Sequence, residues 1–538
     1  MRIDILQSSA GKVISDFIMM VLLVWTVLSF FHNNISNGRV LTWGIQYNDC
    51  VSKAVLMSLV YCIGRICFTI HFQWSRIIFY VIIGLIALRE LLFCMMQFLH
   101  GNGTITGSMG NTGLLGGFIS VCLCFFGAGI VKDGKYFRLL FLLPLLVLEI
   151  ISFSRAAWLS CAIVAGVLLF RSESLNRWNY KWKIPLFLSA FYLGIIVYYL
   201  KKESADSRLF MALLTLRNCT KVGLLGTGPG NYCGFYGRSL FDYYWGTESG
   251  LADDSIARVE ALTWEKIGTG IPDCAYNELL RVFVETGFVG FALFAAVIVL
   301  SFLRLYRIND TLSYGFLALI VFSQFSFPSK MPLFCFLCAL LMAAGSSTPG
   351  IKGEDRIGLY HVAWSLLCFV SFICLSKHRN ADVIYNKLNN MQDSFEVGSY
   401  DEAAITGATI YNEGYASPKF LLTYGQALGY CHDYENSDKV INHALEISAS
   451  PVFWKALGDI SFKKEDYPLA EKQYLHSFVM MPNRLQPLLD LARLYHTTGD
   501  TLNLSRIGAC AQRIIPKVEN SKTGKIREEI MSLQGVAK

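Results

Sequence analysis

The sequence predicts an all-α protein: a polytopic helical membrane domain over 1–375, a linker over 376–400 and a C-terminal α-solenoid over 400–538. Three observations predict it. Of 538 residues, 54% are hydrophobic and only 16% are charged, with positive mean hydropathy. The apolar residues come in blocks, and a block of about 18 or more reads as a spanning helix because hydrocarbon offers backbone amides no partner. Past residue 376 the blocks give way to mixed-charge helical sequence with a repeat.

Taken in order, spans fall near 13–31, 51–70, 76–99, 112–131, 137–153, 156–170, 184–200, 279–303, 313–327, 331–345 and 359–375. That makes about eleven or twelve, several of them short for a bilayer core of about 30 Å. The first block, GKVISDFIMMVLLVWTVLSFF, has no small-residue cleavage site and reads as a retained helix. Lys and Arg in short loops set the orientation. Lys12, Lys132, Arg138, Arg177, Lys183, Arg304 and Lys352 fall on one side when the N-terminus is cytoplasmic. The opposite side then takes HGNGTITGSMGN, which has no Lys or Arg, the loop 201–278 and the repeat region. The net charge of +7 follows this bias and implies no nucleic-acid partner.

Ionisable residues gather at the outer boundary. EIISFSRAAWLS places Arg155 where two short apolar segments meet, with Glu149 a turn earlier. Arg89 and Glu90 interrupt IALRELLFC; Arg208 and Arg217 lie in the outer loop, and Arg281 and Glu285 open the span after it. Charges within membrane segments are rare and mark substrate paths, and arginine's planar fork suits phosphate or pyrophosphate. For Arg155 alone the alternative is a snorkelling side chain at a helix end. Arg65 falls toward the inner side and reads as structural or interfacial.

The outer loop breaks at Gly226, Gly228 and Gly230, where backbone amides can approach a glycan or anion; a plain re-entry loop fits equally. No strand precedes these glycines and their spacing is not that of a nucleotide fingerprint. His100 lies at the outer end of the third span, while His71 and His361 show no spacing relation to other ligand types. Most of the 16 cysteines lie in spans as small apolar residues; Cys219, Cys233 and Cys274 share the outer loop, where one pair could be bridged. No zinc spacing appears.

In the C-terminal part, Tyr400, Tyr434 and Tyr467 recur at separations of 34 and 33, and Asp500 follows Asp466 by 34. Tetratricopeptide repeats have this period, with small residues such as Gly425 and Gly458 where paired helices pack. Such an array commonly binds a protein segment; a generic helical domain is the alternative.

Four stretches in order resemble the O-antigen ligase and polymerase superfamily, a group of multi-span bacterial glycosyltransferases. They are GSMGNTGLLGGF (107–118), FSRAAWLS (153–160), DSRLFMALLTLRNCTKVGLLGTGPGNY (206–232) and AYNELLRVFVETGFVG (275–290). The resemblance covers roughly residues 10–345. It implies an inner-membrane enzyme of the helical membrane glycosyltransferase type that takes a glycan from an undecaprenyl-pyrophosphate carrier on the periplasmic side, with no cofactor and no metal. By matching positions, Arg155 and Arg208 are candidates to hold the donor pyrophosphate; depth and charge add Arg281 and Arg89.

One departure stands out. The family commonly has His before Asn at the start of the span after the outer loop, as base on the acceptor hydroxyl; here Tyr276 precedes Asn277. Tyrosine, with an ordinary pKa near 10, matches neutral general-base work poorly. Tyr276 can position the acceptor while Glu278, Asp273 or Glu285 takes the proton; the donor can be activated enough to need no strong base; or the chain is an inactive relative. Among function classes, a transporter lacks a duplicated half and charges near mid-bilayer, and a membrane-anchored scaffold does not need so many spans. The expected acceptor is lipid A-core in a ligase, a growing glycan in a polymerase, or Ser or Thr in a protein O-oligosaccharyltransferase. The repeat region could recruit a protein partner.

Overall fold

The computed structural model describes residues 9–36, 45–101, 103–133, 139–171, 198–199, 202–247, 255–263, 272, 275–347, 359–376, 381–415, 417–516 and 519–536. Among these the regular structure is helical throughout. The apolar part comprises α1 (Ser9–Ser36), α2 (Ile45–Ile70), α3 (Phe72–Leu99), α4 (Thr112–Asp133), α5 (Leu139–Ile151) and α6 (Arg155–Arg171). The segment that the charge bias places on the outer side as an expectation forms α7 (Lys202–Arg217), α8 (Tyr232–Thr247) and α9 (Ser255–Leu262). The chain then returns through α10 (Glu278–Arg307), α11 (Leu312–Ser323), α12 (Pro332–Ser346) and α13 (Leu359–Ser376).

Five of these helices are long and apolar enough to cross a membrane: stretches of α1, α2 and α4, and all of α3 and α10. Apolar stretches of α5, α11, α12 and α13 are shorter; the expected span at 156–170, which α6 covers, falls in neither group. The segment read as a span at 184–200 lies, apart from 198–199, outside the described residues. α4 is the most enclosed of the long helices and packs on α5, α6 and α11; α2 packs on α12 and α13, and α1 on α10. Phe118, Phe125, Phe316, Phe322 and Phe334, all fully buried, fill the apolar core.

α10 is interrupted. Gly287 adopts φ 72°, ψ −176°, a conformation open essentially to glycine, and a Cβ there would stand 2.0 Å from the Leu224 carbonyl oxygen. The break leaves carbonyls without helical partners, and other segments supply the donors. The Thr227 amide donates to the Val284 oxygen (2.8 Å), the Gly228 amide to Glu285 (2.9 Å) and the Trp25 indole N–H to Thr286 (2.9 Å). In an apolar setting such substitution is what makes a broken helix tolerable.

The end of the bundle away from this break holds a buried polar group that sequence spacing did not reveal. Asp16 accepts from Tyr61 Oη (2.7 Å) and Arg65 Nε (3.1 Å), and its carboxylate stands 3.1 Å from His361 Nε2. His361 thus does have a charged partner, brought to it by packing across α1, α2 and α13, and the buried charges gather at both ends of the bundle rather than one.

The C-terminal helices are α14 (Ala381–Val397), α15 (Tyr400–Thr409), α16 (Tyr411–Gly414), α17 (Pro418–Tyr430), α18 (Tyr434–Ser448), α19 (Pro451–Lys463), α20 (Tyr467–Met480), α21 (Gln486–Thr498), α22 (Thr501–Arg513) and α23 (Ser521–Val536). They stack as successive pairs α17–α18, α19–α20 and α21–α22. The period seen in sequence is the period of the caps: Asp433, Asp466 and Asp500 each accept an amide from the first turn of the second helix of a pair.

Candidate functional site

The helix ends at Arg155 and Glu278 and the turn between α11 and α12 meet at one end of the bundle, below α7. Asn277 caps α10: its Oδ1 accepts the Leu280 amide (3.0 Å), and its Nδ2 donates to the Gln324 carbonyl (3.2 Å) in the α11–α12 turn. That turn, residues 324–330, separates two groups of charged side chains.

On one side stand Arg208, Tyr276 and Arg155. The Arg208 guanidinium lies 4.4 Å from the centre of the Tyr276 ring and donates to the Phe325 carbonyl (3.0 Å). Burial pulls its pKa below the ordinary arginine value; the neighbouring Tyr276 opposes that and the Arg155 charge adds to it. Tyr276 also packs edge-on against Phe327, ring centres 5.3 Å apart. Arg155 is the first residue of α6, where the helix dipole already favours an anion.

On the other side the first turns of α10 carry one arginine paired with two glutamates. Arg281 Nε donates to Glu278 Oε2 (2.8 Å), and its terminal nitrogen to Glu285 Oε2 (3.3 Å). Glu278 Oε1 accepts from the Ser329 amide (3.1 Å) and hydroxyl (2.7 Å), which pins the carboxylate against the turn. Both glutamates are only 6% exposed. The backbone amides of Gly230 and Tyr232 face Glu285.

This group lines a cavity of about 650 Å³. Its deep wall is apolar, built from residues such as Leu22, Phe294, Ile298, Leu319, Phe334 and Met342 of α1, α10, α11 and α12. Its mouth carries Lys53, Arg281, Lys330 and Lys419 beside Glu278 and Glu285, an excess of cations. Lys53 Nζ donates to the Lys330 carbonyl (3.0 Å), fixing α2 to the turn. An apolar pocket with a few convergent charged groups suits an amphiphile with an anionic head. Among the described residues no three of His, Cys, Asp and Glu converge as a metal site would need.

The residues singled out from sequence therefore fall in three places. Tyr276, Arg155 and Arg208 come together, and Glu278, Arg281 and Glu285 come together behind the turn that Asn277 holds. Arg89 stands apart, two-thirds exposed and 3.4 Å from Glu90, whose carboxylate accepts the Ser108 amide and hydroxyl and so holds the Gly107–Met109 turn. Gly226 and Gly228 turn their backbone to the α10 break; a Cβ at Gly226 would meet the Glu285 carbonyl at 2.4 Å. Gly230 lines the cavity. Asp273 and Cys274 lie outside the described residues, and no bond joins Cys219 to Cys233. Sequence reasoning missed Lys53, Lys330 and Lys419. The first two sit at the ends of apolar blocks, where a lysine reads as an ordinary interfacial anchor. Comparison with protein-family models and with curated proteins returns no match.

Proposed function

We propose that the protein is a membrane-embedded glycosyltransferase that moves a glycan from an undecaprenyl-pyrophosphate carrier to an acceptor hydroxyl, as an O-antigen ligase or polymerase does. The observation that carries this reading is the cavity: an apolar wall within the helical bundle ending in a cationic mouth with two buried carboxylates. An isoprenoid chain matches the wall and a pyrophosphate matches the mouth. In the reaction the acceptor oxygen attacks the anomeric carbon of the glycan, and the bond from that carbon to the pyrophosphate oxygen breaks. The carrier pyrophosphate leaves with the electron pair, and the acceptor proton passes to a carboxylate.

Each chain residue then has a task. Arg281 meets charge developing on the leaving group, the role for which preorganised guanidinium donors are worth most. Arg155 and Arg208, behind the turn, add positive potential where the α6 N-terminus already points. Glu278 or Glu285 accepts the proton that the family's histidine would take, and Tyr276 supports Arg208 with its ring face. Replacing Arg155 by Ala is expected to leave expression and membrane insertion intact and to lower transfer without abolishing it; full activity in that variant removes Arg155 from any part in the reaction.

The deciding experiment is the size of carrier-linked glycan that accumulates in a strain lacking the protein. Long glycan on the carrier means transfer is blocked after polymerisation, as for a ligase or a protein O-oligosaccharyltransferase. Glycan stalled at one repeat identifies a polymerase. No accumulation overturns the transferase reading.

A further inference from the structure

The C-terminal repeats do not stand clear of the rest of the molecule. α8 packs against α18 and α20, and α9 against α20 and α22, so the second helices of the repeat pairs face the outer segment. Tyr236 and Leu240 of α8 share one buried core with Tyr474 and Phe478 of α20. The approach of α8 to the end of α18 is close: a Cβ on Gly234 would stand 2.2 Å from the Ile447 carbonyl oxygen, and one on Gly237 would stand 2.7 Å from that of Ala449. Arg238 donates to the Glu446 carbonyl (2.9 Å), a cation on the last turn of a helix where carbonyls lack helical partners. Arg506 grips Glu260 with two hydrogen bonds of 3.0 and 2.9 Å.

This docking carries repeat residues to the cavity. Pro418 and Lys419, which open α17, and Ser448, which ends α18, line its mouth together with Lys53, Arg281 and Lys330. We propose that the repeat domain acts in cis as the outer wall of the carrier site, and that Lys419 binds the lipid pyrophosphate headgroup with the bundle's own cations. The proposal rests on the carrier-dependent reading above and adds a residue from a part of the chain otherwise expected only to recruit a partner. Lys419 is an exposed side chain at a helix start, so its substitution leaves packing untouched.

The test uses the purified full chain in detergent and measures binding of undecaprenyl pyrophosphate. Lys419→Gln is expected to weaken binding about tenfold, the scale of one charge-assisted contact, and Lys419→Arg to keep it. Gly234→Leu, which pushes the end of α18 away from α8, is expected to weaken binding similarly. If the wild-type chain fails to bind the carrier, the transferase reading itself falls. If it binds and Lys419→Gln binds equally well, the carrier reading stands and the cis role is overturned. Displacement of the carrier by equimolar phosphatidylglycerol also overturns it, because the mouth would then hold any lipid phosphate.

Discussion

Tyr276 stands where the family that the chain resembles has a histidine, and on the proposed reading its ring supports Arg208. Its ring underlies the Arg208 guanidinium at 4.4 Å, a geometry worth on the order of 1–2 kcal/mol in a partly desolvated place. The ring, rather than the hydroxyl, makes that contact. Tyr276→Phe is therefore expected to retain most transfer activity, and Tyr276→Ala to lose roughly five- to thirtyfold in kcat/KM. Equal loss in both variants would give the hydroxyl a direct part in the chemistry. In the repeat domain a buried carboxyl adds its own pH dependence. Asp490 is buried, 5% exposed, and burial raises its carboxyl to about 6 despite Lys455 at 3.8 Å. A carboxyl raised above its unfolded value of about 3.9 binds its proton more tightly when folded. The contribution of Asp490 to stability is then full below the unfolded pKa and is lost as pH rises from about 4 to about 6, by up to ~3 kcal/mol. Thermal unfolding of the full chain across that window should show the slope, and Asp490→Asn should flatten it.

At the scale of elements, the break in α10 and the 223–230 segment form one unit. Leu224, Thr227 and Gly228 occupy the space that a continuous helix would close, and α1 contributes Ser29, whose hydroxyl donates to the Leu225 (2.5 Å) and Glu285 (3.0 Å) carbonyls. The break also fixes where Glu285 points into the cavity. Gly287→Ala forces a Cβ against the Leu224 carbonyl at a positive φ, and is expected to cost about 3 kcal/mol or more. The measurement is the unfolding midpoint in detergent; an unchanged midpoint would mean the segment shifts freely. The repeat pairs turn by a shared device. His432, Glu465 and Gly499 each take a left-handed conformation directly before the capping aspartate. That device, and not a tyrosine side chain as such, underlies the 33- to 34-residue rhythm.

Across the whole molecule, α7, α8 and α9 are sandwiched between the bundle and the repeats. Tyr236, Leu240 and Val259 are fully buried where α18 and α20 pack on α8, and α20 and α22 on α9. A chain ended after residue 376 would uncover that face, a contiguous apolar patch of the kind that drives aggregation. Such a truncation is expected to elute as aggregate on size-exclusion chromatography in a detergent that keeps the full chain monodisperse. A monodisperse, active truncation would show that the repeats are dispensable to the fold.

The helical class, the apolar runs and the repeat period can be read along the chain, because each is a local periodicity: hydrophobic runs follow from backbone satisfaction in hydrocarbon, and turns from caps at fixed spacing. The sequence also brought forward Arg155, Arg208, Glu278, Arg281 and Glu285, since a charge beside an apolar run is visible without coordinates. How these side chains group depends on packing. Arg89 separates from the other arginines because Glu90 is committed to the Gly107–Met109 turn, and Gly226 faces a broken helix whose freed carbonyls no sequence pattern announces. Lys53, Lys330 and Lys419 read as ordinary surface lysines along the chain. Their convergence depends on contacts between residues hundreds of positions apart, which packing of buried faces fixes and local spacing does not.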